Sequence, residues 1–172
     1  MILALVRNYI PSYKIVVDGG WNIADAVARS YDLEGMQVGT VAAGRIGSAV
    51  LRRLKPFEVG LHYTDRHRLP QEVEAELGVT LHDNVESLVK VCDVVTINAP
   101  LDPETEHMFN EALIGKMQRG AYLVRTARGK ICDATPSPAH SNPDSSPATP
   151  ATSGSRSRRR KTIRSERCPT TA

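Results

Sequence analysis

The sequence has few of the residues that mark secreted, metal-binding or membrane proteins. Its three cysteines form no C-x-x-C pair and no metal-ligand spacing with histidine, so we predict no metal site and a reduced, cytoplasmic location. The opening apolar run, M-I-L-A-L-V, has only six residues and is followed by Arg7. A membrane span needs about 20 apolar residues, and a signal peptide carries its positive charge before the apolar run. We therefore predict neither a membrane segment nor a secretory signal.

Most of the chain lacks an excess of basic residues, although the net charge is +3. Residues 1–133 hold 15 basic and 17 acidic residues, whereas residues 134–172 carry a charge of +5. The first segment thus offers no electrostatic case for specific nucleic-acid binding. The second is rich in Pro, Ser, Thr, Ala and Arg, and Ile163 is its one branched aliphatic residue. Such a composition predicts a disordered tail, leaving residues 1–133 as the folded domain.

The most informative motif is M-Q-V-G-T-V-A-A-G-R-I-G, an apolar run that ends in a glycine-containing turn at Gly47. Eighteen residues later a second apolar run ends in Asp65. This is the dinucleotide-binding pattern of a strand-helix-strand unit. Gly44 lets the backbone approach a pyrophosphate, Gly47 lets helix and strand pack closely, and the Arg45 and Ile46 amides face the phosphates. Asp65 is placed to accept hydrogen bonds from the adenosine ribose, which favours NAD over NADP.

Ala42 replaces the first glycine of G-x-G-x-x-G, and we expect this to be tolerated only if its φ angle is negative.

Strands and helices alternate along the rest of the domain. This pattern predicts an α/β, Rossmann-type fold: an incomplete doubly wound parallel sheet of about five strands with helices on both faces. The predicted strands are Met36–Val41, Val59–Tyr63, Val79–His82, Asp93–Asn98 and Ala121–Thr126. The predicted helices between them are Gly44–Leu54, Gln71–Leu77, Val85–Val91 and Glu111–Met117. Residues 1–10 are expected to be helical, with the helix ending at Pro11–Ser12.

In such a sheet the ligand lies beyond the carboxyl ends of the strands. The fourth strand leads into a loop that is a candidate for cofactor contact or a polar loop without function: Pro100, Leu101, Asp102, Pro103 and Glu104. Arg128 follows the fifth strand and could hold a substrate carboxylate bidentately, or be an ordinary surface arginine. The five histidines are expected to be structural or solvated.

Several strings together resemble the formate dehydrogenase branch of the D-2-hydroxyacid dehydrogenases: G-G-W-N-I-A-D, V-G-T-V-A-A-G-R-I-G, L-H-Y-T-D-R-H-R-L-P, P-E-T-E-H-M and T-A-R-G-K. The resemblance implies NAD contacts from Arg45, Ile46, Asp65, the Pro100–Glu104 loop and Thr126. It also implies that Arg128 orients formate, and that subunits pair into a homodimer through a region including residues 1–35. Formate oxidation is a bare hydride transfer, which requires positioning rather than proton abstraction.

The chain departs from that branch in several ways. Arg125 stands where the branch usually has Asn, which questions the local packing. The resemblance places a substrate-binding Asn before Met1 and a catalytic His and its Gln partner after Asp133, so we expect an inactive fragment. Residues 134–162 can be back-translated so that another frame reads D-A-V-A-R-A-L-E-S-G, the segment that the branch has next. This predicts a frameshift after Asp133, with a genuine basic tail as the alternative.

Two functions other than formate oxidation stay open: a fragment of another D-2-hydroxyacid dehydrogenase, and an NAD-binding module without catalysis.

Overall fold

The computed structural model describes residues 1–21 and 23–133, so the predicted disordered tail at 134–172 and its proposed reading frame lie outside the described residues. Within the described part, seven helices alternate with or precede five strands. The strands are β1 (Gln37–Val41), β2 (Gly60–Thr64), β3 (Val79–Leu81), β4 (Val94–Ile97) and β5 (Tyr122–Arg125). The helices are α1 (Ile2–Val6), α2 (Tyr9–Val17), α3 (Ile23–Ala28), α4 (Arg45–Leu54), α5 (Gln71–Leu77), α6 (Val85–Val89) and α7 (Glu111–Ile114). No helix in these ranges is long and apolar enough to cross a membrane.

The five strands form one parallel sheet in the order β3-β2-β1-β4-β5. The predicted fold is confirmed, because this is the Rossmann order with the first strand central and β4 beginning the second half. The chain reverses its direction of winding between β1 and β4. The switch point therefore lies where the ends of β1 and β4 separate, and a cleft is expected there.

The sheet is covered on both faces, which explains why its strands read as continuous apolar runs. All four residues of β4 are buried, and Val94 packs into one apolar cluster while Val95 packs into the other. The first cluster joins β1 and β2 to α4 through Leu51 and Leu54. The second joins β4 to α6 and to the segment around Phe109. Successive side chains of β4 thus pack into two separate cores, one on each face of the sheet.

The N-terminal segment differs from the prediction. Its first helical break falls at Asn8, which adopts a left-handed conformation with φ 50°, and not at Pro11. Pro11 is the third residue of α2. At this position of a helix the backbone N–H of any residue type has no intrahelical acceptor. Proline is therefore compatible with this position, and the helix continues to Val17.

Candidate dinucleotide site

A cleft of about 740 Å³ opens at the carboxyl ends of the parallel strands. Nineteen residues line it, from the turn after β1, the ends of β2 and β3, and the loop after β4: Val41, Ala42, Gly44, Arg45, Ile46, Gly47, Thr64, Asp65, Arg66, His67, Asp83, Asn84, Val85, Asn98, Ala99, Pro100, Asp102, Thr105 and Met108. The cleft occupies the switch point of the sheet, the position that the strand order predicts for a ligand.

The turn between β1 and α4 leaves backbone N–H groups available to the cleft. Gly44 precedes α4 without any side chain capping the helix, so the first amides of the helix, at Arg45 and Ile46, are not satisfied by a cap. A Cβ added at Gly44 would have no neighbour within 4 Å, which means that this face of the turn is open. Unsatisfied N–H groups on an open glycine turn form an anion-binding site, and a pyrophosphate fits that chemistry.

Gly47 serves packing instead. A Cβ at this position would lie 2.1 Å from the Ala42 carbonyl oxygen and 3.2 Å from the Thr40 hydroxyl oxygen. Only glycine allows the first turn of α4 to approach the end of β1 so closely. These distances fit the predicted packing role of Gly47, and the predicted pyrophosphate contact of Gly44 stays a prediction.

Ala42 contradicts the expectation of a negative φ angle, because its φ is 70°. Neighbouring hydrogen bonds hold the residue there: the Ala42 N–H donates to Thr64 O at 2.9 Å, and the Thr40 hydroxyl donates to Ala42 O at 2.9 Å. The Asn98 amide in turn donates to the Thr40 oxygen at 2.8 Å. The surrounding structure thus imposes a left-handed conformation that glycine would adopt without strain.

Asp65 follows the last residue of β2 and connects the two halves of the motif. One carboxylate oxygen accepts from the Ala43 N–H at 2.6 Å, and the other accepts from the His67 N–H at 3.0 Å. The carboxylate is therefore fixed at the cleft wall, and its remaining lone pairs can accept hydrogen bonds from ribose hydroxyl groups.

The loop after β4 is ordered by a local hydrogen-bond network. Asp102 accepts from the backbone N–H groups of Glu104 and Thr105, both at 3.0 Å, and the Thr105 hydroxyl donates to Pro100 O at 2.7 Å. Of the predicted loop residues, Pro100 and Asp102 line the cleft. Leu101, Pro103 and Glu104 do not line it.

Two predicted site residues after β5, Thr126 and Arg128, are exposed and lie outside the cleft lining. Thr126 and Arg128 therefore stay predictions, because the described residues do not join them to the dinucleotide cleft. Arg125 causes no packing defect: it is exposed, and its guanidinium donates to the Gly129 carbonyl. An arginine is accommodated there because β5 forms an edge of the sheet.

Two histidines form a structural pair away from the cleft. His62 Nδ1 lies 3.0 Å from His82 Nε2, and His62 Nε2 lies 2.7 Å from the Gln37 side-chain oxygen. Burial lowers the pKa of both rings, and the charge of His82 lowers the pKa of His62 further. His67 is exposed but lines the cleft mouth, a placement that sequence reasoning did not anticipate.

A family profile described as the NAD-binding domain of D-isomer specific 2-hydroxyacid dehydrogenases matches residues 1–136. The chain belongs to the D-2-hydroxyacid dehydrogenase family. The profile confirms the prediction that the cofactor is NAD. The open turn at Gly44 and the Asp65 carboxylate held at the cleft wall fit this cofactor.

Formate dehydrogenases are prominent among the relatives of this D-2-hydroxyacid dehydrogenase chain. The Pseudomonas sp. (strain 101) formate dehydrogenase is 65% identical over 133 residues, which are 77% of this chain and 33% of that protein. A structure titled Granulicella m. formate dehydrogenase shares 68% identity with a TM-score of 0.76, covering 77% of this chain and 35% of the other. Descent from the formate dehydrogenase branch is thereby confirmed. The chain spans about a third of the length of the curated relatives it matches.

Other solved structures share the fold at lower identity. An NAD-dependent formate dehydrogenase from Staphylococcus aureus, in complex with NAD, is 34% identical with a TM-score of 0.68, covering 77% of this chain and 38% of that one. Apo D-lactate dehydrogenase from Escherichia coli is 31% identical with a TM-score of 0.69, covering 77% and 40%.

Sequence reasoning missed part of the cleft wall. Asp83, Asn84 and Val85 line it because they follow β3, and inspecting the end of that third strand would have found them. Arg66 was also missed, although it directly follows Asp65. Met108 carries no local signal, since only the folding of the loop after β4 brings it to the cleft.

Proposed function

We propose that this chain provides the NAD-binding part of an NAD-dependent formate dehydrogenase. The observation that carries the proposal is the hydrogen bond from the Ala43 N–H, in the open glycine turn, to the Asp65 carboxylate. It occurs in a chain that is 65% identical to a formate dehydrogenase. The Gly44, Arg45 and Ile46 backbone would hold the pyrophosphate, and Asp65 would accept from the adenosine ribose hydroxyls. NAD, when bound, supplies the hydride acceptor.

The selectivity of Asp65 can be separated from its structural role. Asp65→Ser should weaken NAD binding more than NADP binding, because the ribose acceptor is lost and repulsion of a 2′-phosphate is relieved. The measurement is the pair of dissociation constants by calorimetry, with Asp32→Ser as an exposed control. If Asp65 only supports the Ala43 N–H, both cofactors will lose affinity equally, and the selector role is excluded.

The proposed substrate contact rests on the resemblance of the T-A-R-G-K string, which contains Arg128, to formate dehydrogenases. The Arg128 guanidinium would bind the formate carboxylate and hold it for hydride transfer, with Thr126 near the cofactor. The test is a chimera in which residues 1–133 replace the matching segment of the Pseudomonas enzyme. We expect NADH production from formate, reduced on the order of a hundredfold or more by Arg128→Ala, since catalysis depends on positioning.

Arg119→Ala, at another exposed arginine, is the matched control and should leave the rate unchanged. A chimera in which both substitutions have the same effect would contradict the role of Arg128. The unmodified 172-residue chain spans about a third of the length of its formate dehydrogenase relatives, so we expect it to produce no NADH from formate. Robust production would contradict that expectation.

A second candidate is another D-2-hydroxyacid dehydrogenase. It is favoured by the similarity to the Escherichia coli D-lactate dehydrogenase structure. A chimera that is silent with formate and turns over a 2-hydroxyacid would support this candidate. A chimera that binds NAD and oxidises neither substrate would support the third option, a binding module without catalysis.

We also propose that the folded protein is a homodimer. Large apolar side chains remain exposed on the N-terminal helices, including Ile10 at 63%, Tyr13 at 58% and Val17 at 62%. Contiguous exposed apolar surface of this kind marks an interaction site. Sedimentation should show a dimer at micromolar concentration that Ile10→Glu with Val17→Glu converts to monomer. Val91→Glu is the control, and a monomeric parent chain would contradict the proposal.

A further inference from the structure

Arg66 lies at the mouth of the dinucleotide cleft and joins its two sides. The residue follows Asp65 at the end of β2, yet its guanidinium contacts the loop after β4. One terminal nitrogen lies 2.9 Å and 2.8 Å from the two Asp102 carboxylate oxygens and 3.0 Å from a Glu104 oxygen. The side chain is 52% exposed, so its position depends on these carboxylates rather than on packing.

The Asp102 carboxylate is a fixed partner. It accepts from the Glu104 and Thr105 backbone N–H groups, and the Asp102 N–H donates to the Thr105 hydroxyl at 2.9 Å. Thr105 is buried, which anchors the whole turn. The Asp102 side chain is only 26% exposed, whereas Glu104 is 78% exposed. Arg66 thus contacts one carboxylate that backbone N–H groups hold in place and one carboxylate that is largely exposed.

The balance of charge around Arg66 is negative. Asp65, Asp102 and Glu104 surround a single guanidinium, and all three are charges that favour its protonated form. An arginine next to the ribose-binding acid is the residue type that pairs with a 2′-phosphate. Here its terminal nitrogen Nη2 is already paired with carboxylates, so a phosphate that approaches this nitrogen would also meet their negative charge.

We propose that Asp102 and Glu104 are positioning residues for cofactor preference: they hold Arg66 away from the ribose 2′ position and thereby reinforce the choice of NAD that Asp65 begins. This inference rests on the proposed NAD-binding function. Of the two residues, Asp102 lines the cleft and lies 36 residues beyond Arg66 in the sequence.

The test measures two ligands that differ only at the ribose 2′ position. The full chain carrying Asp102→Asn and Glu104→Gln is titrated with ADP-ribose and with 2′-phospho-ADP-ribose. Asn at position 102 retains a side-chain oxygen for the backbone N–H groups, so the turn is preserved. The affinity ratio should shift towards the 2′-phosphorylated ligand on the order of tenfold, the factor that one charge-assisted hydrogen bond supplies.

Two further variants make the result specific. Glu76→Gln removes another exposed carboxylate, the partner of Arg52 in an ion pair away from the cleft, and should leave the ratio unchanged. Adding Arg66→Met to the double variant should abolish the gain, because the released guanidinium is its source. A general loosening of the fold would weaken the binding of both ligands equally and would leave the ratio of their affinities unchanged.

An unchanged ratio in a double variant that still binds ADP-ribose would overturn the inference and leave the NAD-binding proposal intact. A gain that survives Arg66→Met would overturn it as well, since simple removal of negative charge would then explain the shift. If the folded parent chain binds neither ligand, the proposed NAD-binding function fails, and this inference fails with it.

Discussion

Gly44 and Gly47 stand three residues apart, and the same substitution should have opposite effects at the two positions. At Gly47 an alanine Cβ would lie 2.1 Å from Ala42 O, an oxygen that the Thr40 hydroxyl holds in place. At an unhindered helix position Gly→Ala stabilises the helix by about 1 kcal/mol. The clash with Ala42 O must therefore exceed this gain if the substitution at Gly47 is to be destabilising. We expect Gly47→Ala to destabilise the fold by about 2 kcal/mol, typical of overpacking.

At Gly44 an added methyl group meets no protein atom within 4 Å, and the backbone has a φ of −60° that alanine accepts. Gly44→Ala should therefore keep or slightly raise the thermal midpoint while weakening NAD binding, because the methyl group points into open space beside the phosphate-binding amides. Thermal denaturation and NAD titration of both variants give four results. An unchanged midpoint for Gly47→Ala, or unchanged NAD affinity for Gly44→Ala, would refute this account of the turn.

Three other predictions concern strain, protonation and thiol reactivity. Ala42→Gly should stabilise the fold by roughly 0.5–1 kcal/mol in urea unfolding, because it relieves the left-handed strain, whereas the control Ala43→Gly should destabilise it. Burial lowers the pKa of His62 and His82, so on acidification the unfolded chain takes up protons at a higher pH than the folded chain does. The free energy of unfolding should therefore fall as the pH drops below about 6.5. The double substitution His62→Gln with His82→Gln should flatten that pH dependence. An equally steep loss in this double variant would exclude the histidine pair as its cause. Burial raises the pKa of the Cys92 thiol to about 12, so a thiol reagent at pH 8 should label it only after denaturation, and rapid labelling of the folded chain would contradict its burial.

Much of the fold follows from local sequence signals. The alternation of apolar runs with helical patterns predicted all five strands, and α5 was predicted at Gln71–Leu77, where it is observed. The glycine turn and Asp65 were predictable because they lie at strand ends, where topology fixes their position. The N-terminal helix break was wrong, since a proline in the first turn of a helix costs no hydrogen bond while Asn8 tolerates a left-handed conformation.

The remainder of the site depends on tertiary contacts that have no local signal. The φ angle of Ala42 is set by Thr40, Thr64 and Asn98, which come from three different strands or their ends. The ion pair between Arg66 and Asp102 joins segments that meet only when β2 and β4 flank β1. Patterns of single residues cannot predict such pairs, because each partner alone reads as an ordinary surface charge.

The most direct test of the central claim is hydrogen exchange of the 172-residue chain with and without saturating NAD. We expect NAD to slow amide exchange at Gly44–Gly47, next to Asp65, and in the loop after β4, while α2 and α7 exchange at unchanged rates. A folded chain whose Gly44–Gly47 amides exchange equally fast with and without NAD would contradict it.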